Sequence, residues 1–187
     1  MQSTEADWLA RIRRFDEEAM AELYDTVSPA LYRYAFRLLG DGPAAEDVVG
    51  ETFLRFLRSL RAGGGPKDHP RAYLFRVAHN AAMDIHRRGT TTQAKDRLLA
   101  DPDHDDPDPT GEAESALAQA EARRALWLLT KEQQQVILLK YYEGWTNEEV
   151  AAALEKPVGA VKSLQHRALD SLRRALAPPT GLRETTP

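Results

Sequence analysis

Apolar side chains recur every three to four residues along most of this chain, a spacing that predicts amphipathic helices rather than strands. In the first half the pattern is interrupted at Ser28-Pro29, at residues 40–43 and at residues 62–66, and it ends near residues 87–89. Gly favours helix C-termini and Pro favours helix starts, so four helices are expected within residues 6–89, forming one bundle. Their apolar positions are Trp8, Ile12, Phe15 and Leu23; Leu31, Ala35, Leu38 and Leu39; Val49, Phe53, Phe56 and Leu60; and Leu74, Val77, Ala78, Ala81 and Ile85.

The segment from residue 90 to residue 111 lacks this periodicity and differs in charge. The whole chain has 25 Lys and Arg against 29 Asp and Glu, a net charge of −4. Residues 1–89 carry 13 of each sign, residues 90–114 carry 2 basic and 8 acidic side chains, and residues 115–187 carry 10 and 8. The acidity is thus confined to one segment rich in Asp and Pro, which predicts a flexible linker between two small helical domains.

Residues 112–177 are predicted to form a second all-helical domain, followed by a disordered tail at residues 178–187. Thr130 with Gln133, and Thr146 with Glu149, have the spacing of capping boxes, in which two helix-terminal N–H groups are satisfied reciprocally. A short helix after Thr146, a break at residues 155–157 and a long amphipathic helix give the layout of a helix-turn-helix.

The second helix of such a motif enters the major groove of duplex DNA with its N-terminal residues at the base edges. Val161, Leu164, Ala168 and Leu172 form its predicted inner face, which turns a polar face outward. The candidate DNA contacts are Thr146, Asn147, Lys162, Ser163, Gln165, His166 and Arg167. An ordinary helical hairpin with a solvated basic face is the alternative that this pattern leaves open.

Composition narrows the possible functions further. The chain has no Cys, which excludes disulfides and Cys-ligated zinc. No apolar run approaches the ~18 residues of a membrane span, and the N-terminus lacks a signal peptide, so a cytoplasmic protein without membrane insertion is expected. The acidic repeat from Asp101 imitates a calcium loop, but Asp106 stands where that loop needs Gly. No nucleophile motif or phosphate-binding Gly signature is present, so no catalytic residue, metal or cofactor is predicted.

Several short motifs occur in a fixed order on either side of the acidic segment. They are LYRYA at residues 31–35, AEDVV at 45–49, ETF at 51–53 and PRAYLFRVAHN at 70–80, then EGWTNEEVA at 143–151, PVGAVKS at 157–163 and QHRA at 165–168. Through these motifs the chain resembles the bacterial extracytoplasmic-function (ECF) sigma factors over about residues 8–177, with the last motif similar to actinobacterial members.

The resemblance implies a dissociable subunit of RNA polymerase. The first domain would bind core polymerase and help open the −10 promoter element, and the second would read the −35 element as duplex. The acidic linker would either enter the nucleic-acid channel of the polymerase or act as a plain spacer. An anti-sigma factor is an expected further partner, because many members of the family are held inactive by one.

By resemblance, the third predicted helix carries the surface that binds core polymerase. Its outer face combines charged side chains with one exposed Leu. The candidate contacts are Glu46, Asp47, Glu51, Leu54, Arg55 and Arg58. A solvated helix face is the alternative. The family usually carries Gln at the position of Gly50. Gly at this position costs about 1 kcal/mol of helix propensity.

The fourth predicted helix and the loop before it combine cations with aromatic rings, as single-stranded DNA binding requires. The candidate −10 contacts are Arg61, Lys67, Arg71, Arg76, His79, Asn80, Arg87 and Arg88. Tyr73 and Phe75 lie among them, and either ring could instead belong to the core. His79 stands where Arg is common in the family, and a salt-bridged or surface His79 is the alternative. The loop at residues 61–69 matches in position the family loop that captures a flipped −10 base.

Two other functions compete with a sigma factor. A stand-alone helix-turn-helix transcriptional regulator would bind duplex DNA by itself and as a dimer. An enzyme on a helical scaffold is the third possibility, although the sequence offers it no nucleophile.

Overall fold

The computed structural model describes residues 5–96 and 111–177, with side chains for residues 8–89 and 117–177. The described residues are helical and contain no strand, as the sequence predicts. The first half comprises α1 (Glu5–Arg13), α2 (Glu17–Leu39), α3 (Gly42–Arg61) and α4 (Pro70–Asp96). The acidic segment at residues 97–110, with its calcium-loop imitation, and the tail at residues 178–187 lie outside the described residues.

The second half comprises α5 (Gly111–Trp127), α6 (Lys131–Ile137), a π-helical turn (Leu138–Tyr142), α7 (Asn147–Leu154) and α8 (Val158–Leu176). Both predicted capping boxes are present, because the hydroxyls of Thr130 and Thr146 accept from the N–H groups of Gln133 and Glu149. The helix-turn-helix is therefore α7, a break at Glu155, and α8. No described helix has the length and apolar character needed to cross a membrane.

Three local predictions in the first half are wrong. The helix α2 continues through Pro29, with Val27, Ala30 and Leu31 buried on either side of it. Phe15, expected on the core face, lies at a positive φ of 59° between two helices and is 39% exposed. Gly89 does not end α4, which continues to Asp96. Pro29 cannot donate a backbone hydrogen bond, and the packing of the buried α2 face offsets the free-energy cost of losing it.

The two halves share one continuous hydrophobic core. The helix α4 lies against α7, and α2 lies against α5. The ring of Phe75 meets that of Trp145 edge to face, with 5.0 Å between centroids. The indole N–H of Trp127 donates to the carbonyl oxygen of Leu38 at 3.0 Å. The helix-turn-helix is therefore packed directly against the N-terminal bundle.

His79 is a fully buried polar side chain in this core. Its Nδ1 shares a hydrogen bond of 2.8 Å with the hydroxyl of Tyr34. Burial, with a smaller contribution from the positive charge of Lys131, lowers the pKa of His79 to about 3. The imidazole is therefore neutral throughout the physiological range.

We expect His79 to make folding pH-dependent in the acid range. Between the ordinary pKa of 6.5 and the folded value of about 3, the unfolded chain binds a proton that the folded chain does not. The stability that depends on neutral His79 is complete above pH 6.5 and is lost as the pH falls, by up to about 1.4 kcal/mol per pH unit. Urea unfolding of the wild type and of His79→Gln at pH 5 and pH 8 measures this loss. Between pH 8 and pH 5 the free energy of unfolding of the wild type should fall by on the order of 1–2 kcal/mol more than that of the variant. Identical profiles for both proteins would contradict the assignment.

We expect Gly50→Ala to stabilise the chain by about 1 kcal/mol, because Gly costs roughly that much in a helix interior. A Cβ at Gly50, which lies exposed within α3, would meet no atom within 4 Å. Gly63→Ala is the matched control, since its Cβ would also meet nothing but its φ is +76°. That substitution should destabilise through backbone strain alone. Urea denaturation of both variants checks the opposite signs.

Candidate nucleic-acid interface

The outer face of α8 is polar and open to solvent. Val161, Leu164 and Ala168 are buried and Leu172 is half-buried, which confirms the predicted inner face. Of the candidate contacts on α8, four are exposed: Lys162, Ser163, His166 and Arg167. Gln165 is half-buried and its amide donates to the hydroxyl of Tyr141 at 2.8 Å. This face presents cations for phosphates together with hydroxyl and amide groups able to read base edges.

The start of α7 supplies the other two candidates in this half. The backbone N–H of Thr146 donates to Glu149 at 2.7 Å, and its hydroxyl lies 3.0 Å from the same carboxylate. These bonds lower the pKa of Glu149 and fix Thr146 as a helix cap. The Oδ1 atom of Asn147 is buried and accepts no hydrogen bond within the described part of the chain.

In the N-terminal bundle, the loop before α4 and the first turns of α4 form a polar cleft. It is lined by Lys67, His69, Tyr73 and Arg76 from the first half, and by Glu155 from the second. Arg61, Lys67 and Arg71 are exposed, and Tyr73 is half-buried with its ring 6.0 Å from that of Phe56. The side chain of Arg13 donates to the carbonyl of Pro66 and so braces the loop.

The structure removes two side chains from this set of candidate contacts. His79 was predicted as a −10 contact but is fully buried against Tyr34, because its helix face is covered by both halves. Phe75 is likewise fully buried, so it is a core residue rather than a ring available to a base. Asn80 is half-buried, and its Oδ1 has no partner among the described residues. Arg87 and Arg88 are exposed at the far end of this face, where both bond to Asp84.

Opposite charges gather where α4 meets the second half. Arg76 forms an ion pair with Glu155. The guanidinium of Arg71 lies 4.9 Å from the centroid of the Trp145 ring, as a cation–π contact. Nearby, burial raises the pKa of Glu143, while Arg33, Arg71 and Arg37 oppose that rise. Two of the predicted −10 cations therefore already have partners in the helix-turn-helix domain.

A second groove runs between α3 and α4. It is lined by Glu46, Asp47, Gly50, Glu51, Leu54, Ala81, Ile85 and Arg88. Leu54 is 49% exposed, an apolar anchor within a charged rim. Arg55 is held by Glu51 at 2.7 Å and by Asp84 at 3.3 Å, which raises the pKa of Arg55. Arg58 is exposed. Four of the six contacts predicted on α3 thus line one groove, and Arg55 and Arg58 are not part of its lining.

Sequence reasoning missed the residues that join the two halves. Trp127 ends α5 and Trp145 lies in the turn before α7, and an apolar side chain at either position indicates burial but not the surface that covers it. Glu155 stands in the helix-turn-helix break at a φ of +52°, a conformation that Glu rarely adopts. An acidic side chain at a turn position that favours Gly or Asn was the one available signal.

Comparison with known proteins matches both halves. The models for Sigma-70 region 2 and Sigma-70 region 4 match residues 23–92 and 125–174. The chain is 37% identical over 164 residues to the ECF RNA polymerase sigma factor SigL of Mycobacterium tuberculosis, covering 84% of this chain and 88% of SigL.

Two solved structures are similar in fold. CnrH, solved in complex with the cytosolic domain of CnrY, has a TM-score of 0.66 at 23% identity, covering 92% of this chain and 96% of CnrH. RpoE from Bartonella quintana, solved with the anti-sigma factor NepR, has a TM-score of 0.54 at 25% identity, covering 88% of this chain and 97% of RpoE.

These matches favour a sigma factor over a stand-alone regulator. Both family regions occur in order on one chain, and the identity to SigL extends over 84% of this chain. The chain belongs to the ECF RNA polymerase sigma factors, which direct DNA-templated transcription initiation.

Proposed function

We propose that this sigma factor works through three surfaces: the α3 groove for core polymerase, the α4 face with its preceding loop for the −10 element, and the outer face of α8 for the −35 element. The observation that carries the proposal is the exposed polar face of α8 over a fully apolar inner face. A recognition helix needs both: the inner face fixes its orientation, and the outer face meets the bases.

On α8, Arg167 and Lys162 are exposed cations suited to phosphate or guanine, and Ser163 and His166 flank them. Gln165 would have to leave Tyr141 to read a base. Thr146 serves chiefly as the cap that positions α7, and Asn147 supplies an amide whose acceptor atom lacks a partner in the described chain.

On the −10 side, Arg61, Lys67, Arg71 and Arg76 provide the cations, and Tyr73 provides the ring on which an unstacked base would stack. Asn80 remains a candidate for a base or backbone contact. Arg87 and Arg88 would continue the cationic track toward the end of α4, where Arg88 also lines the α3 groove.

In the α3 groove, Leu54 would insert into the partner while Glu46, Asp47 and Arg58 form the charged rim. Glu51 and Arg55 stiffen this surface through their ion pair with each other. An exposed apolar anchor with a polar rim is the usual anatomy of a protein interface.

Partners and compartment follow from this role. Core polymerase supplies the nucleotide chemistry, so the chain carries no catalytic step or cofactor, and it acts in the cytoplasm beside the polymerase. An anti-sigma factor is its proposed regulator, supported by the similarity to RpoE, which was solved with one. The proposed units are residues 6–89 and 112–177, joined by residues 90–111 and followed by a tail at residues 178–187.

Arg167→Ala should weaken −35-dependent initiation by about fivefold or more, because a good base contact contributes about 1–3 kcal/mol. Run-off transcription with core polymerase on genomic promoter fragments measures this. Arg174→Ala is the control, since Arg174 is exposed near the end of the same helix and bonds only Ser171 among the described side chains.

Asn80→Ala should instead impair promoter opening or readout of the −10 element, measured by permanganate reactivity of unpaired thymines. Wild-type activity of both variants would remove these residues from the proposal.

Leu54→Asp should weaken binding to core polymerase by about tenfold or more, because it places a charge in an apolar contact. Leu54→Met keeps the apolar volume and should bind like the wild type. Fluorescence anisotropy of the labelled chain titrated with core polymerase checks both. Equal affinity for the Asp variant would move the polymerase surface away from α3.

A further inference from the structure

We propose that the α1–α2 turn, residues 14–16, is a further binding site for single-stranded promoter DNA, in which the ring of Phe15 stacks on an unpaired base beside the −10 element. The inference rests on the proposed −10 role of the loop at residues 61–69. The turn precedes residues 23–92, which match Sigma-70 region 2, so that match assigns it no role.

The first observation is a backbone conformation that does not suit the residue that adopts it. The N–H of Phe15 donates to the carbonyl of Ile12 at 3.0 Å, and the N–H of Asp16 donates to the carbonyl of Arg11 at 3.1 Å. These two bonds end α1 in a Schellman motif, which requires a left-handed backbone at the position of Phe15. Gly usually fills that position, because a Cβ makes the left-handed conformation unfavourable. A φ of 59° at a Phe is therefore strained.

The start of α2 holds Phe15 in this conformation. The carboxylate of Asp16 accepts from the N–H of Ala19 at 2.9 Å and so caps α2. The same carboxylate pairs with Arg11 of α1 at 2.7 Å. The N–H of Ala19 and the guanidinium of Arg11 together lower the pKa of Asp16. Both helix ends are thus fixed to one side chain, which prevents the backbone of Phe15 from relaxing.

The strained residue gains no place in the core. Phe15 is 39% exposed and is absent from the hydrophobic core of the described residues. Packing therefore does not explain why a ring stands where Gly is favoured, and such strain is often found at binding sites. Every base has a face that stacks on an aromatic side chain, so a partly exposed ring on a rigid turn suits an unpaired base.

The charge of the turn suits a nucleic-acid strand. Arg13 and Arg14 are exposed on the side of the turn that belongs to α1. Of the three acidic residues at 16–18, two pair with Arg11, at 2.7 and 2.9 Å, and the third is exposed. Two exposed cations therefore face one acid that Arg11 does not neutralise. The turn keeps positive charge for the phosphates on either side of a stacked base.

The position of the turn connects it to the proposed −10 surface. The side chain of Arg13 donates to the carbonyl of Pro66, which is buried although it lies in the loop at residues 61–69. The next residue, Lys67, lines the polar cleft together with Tyr73, the ring proposed for a −10 base. The α1–α2 turn therefore adjoins this cleft across Pro66, and a strand bound in the cleft can continue onto Phe15.

The test uses holoenzyme assembled from core polymerase and full-length variants. The probe is the labelled −10 non-template strand of a promoter found by run-off transcription, extended at both ends by its natural sequence. Phe15→Gly and Phe15→Ala both remove the ring, but only Gly also relieves the backbone strain. Phe15→Tyr keeps a ring. Phe36→Ala is the matched control, because Phe36 is an aromatic side chain of α2 with a similar exposure of 38%.

Phe15→Gly and Phe15→Ala should each weaken strand binding by about fivefold or more, because stacking on one base contributes at least that much. Phe15→Tyr and Phe36→Ala should bind like the wild type. Thermal unfolding should separate the first two variants, with Phe15→Gly about 2–4 °C above Phe15→Ala, since Gly adopts the left-handed backbone without strain. Binding that follows the ring while stability follows the backbone distinguishes stacking from a structural role.

Abasic sites placed one at a time along the strand locate the stacked base. At one position beside the −10 element, the abasic strand should bind the wild-type holoenzyme more weakly than the intact strand does. Phe15→Gly should bind the same two strands equally, because the ring that the base would contact is already missing.

Three results would overturn the proposal: strand binding by Phe15→Gly equal to that of the wild type, a loss that couples to no abasic position, or a loss of affinity for core polymerase instead of for the strand. A failure of the proposed function looks different. In that case the wild-type holoenzyme does not prefer the −10 strand to a scrambled strand, and Tyr73→Ala has no effect. If only the Phe15 site is wrong, the preference persists and Tyr73→Ala still weakens binding.

Discussion

The contact between Phe75 and Trp145 joins two helical units into one packed molecule. Phe75 lies edge to face against Tyr34 within its own bundle, at 5.3 Å between centroids, and against Trp145 of the other half at 5.0 Å. The ring of Phe75 therefore packs against side chains of both halves. Two side chains predicted to contact DNA interact near this junction, since Arg71 lies over the ring of Trp145 and His79 bonds Tyr34. The residues predicted for recognition therefore share α4 with residues that pack the two halves together.

This sharing explains how much of each surface could be predicted from the sequence. On α8 the apolar positions fix which side faces inward, and the opposite side is open, so periodicity alone identifies Lys162 and Arg167 as exposed. On α4 one side packs on its own bundle and part of the other packs on α7. Periodicity cannot reveal a second covering surface that comes from residues far along the chain. His79 is the clearest case, because Tyr34 bonds it from 45 residues away.

The fold shows the same division between local and distant causes. The capping boxes at Thr130 and Thr146 were predictable, because every group that forms them lies within four residues. The continuity of α2 through Pro29 was not, because local propensity opposes it and only the burial of the helix face supports it. Glu155 lies between these cases. Its left-handed backbone is local, whereas its partner Arg76 is supplied by the tertiary fold.

The contacts between side chains of the two halves are individually modest. They include one edge-to-face ring pair, stacked cations and an ion pair with a largely exposed carboxylate. Such contacts each contribute on the order of 1 kcal/mol. The junction therefore depends on the sum of these contacts together with the shared apolar core, and not on any single pair.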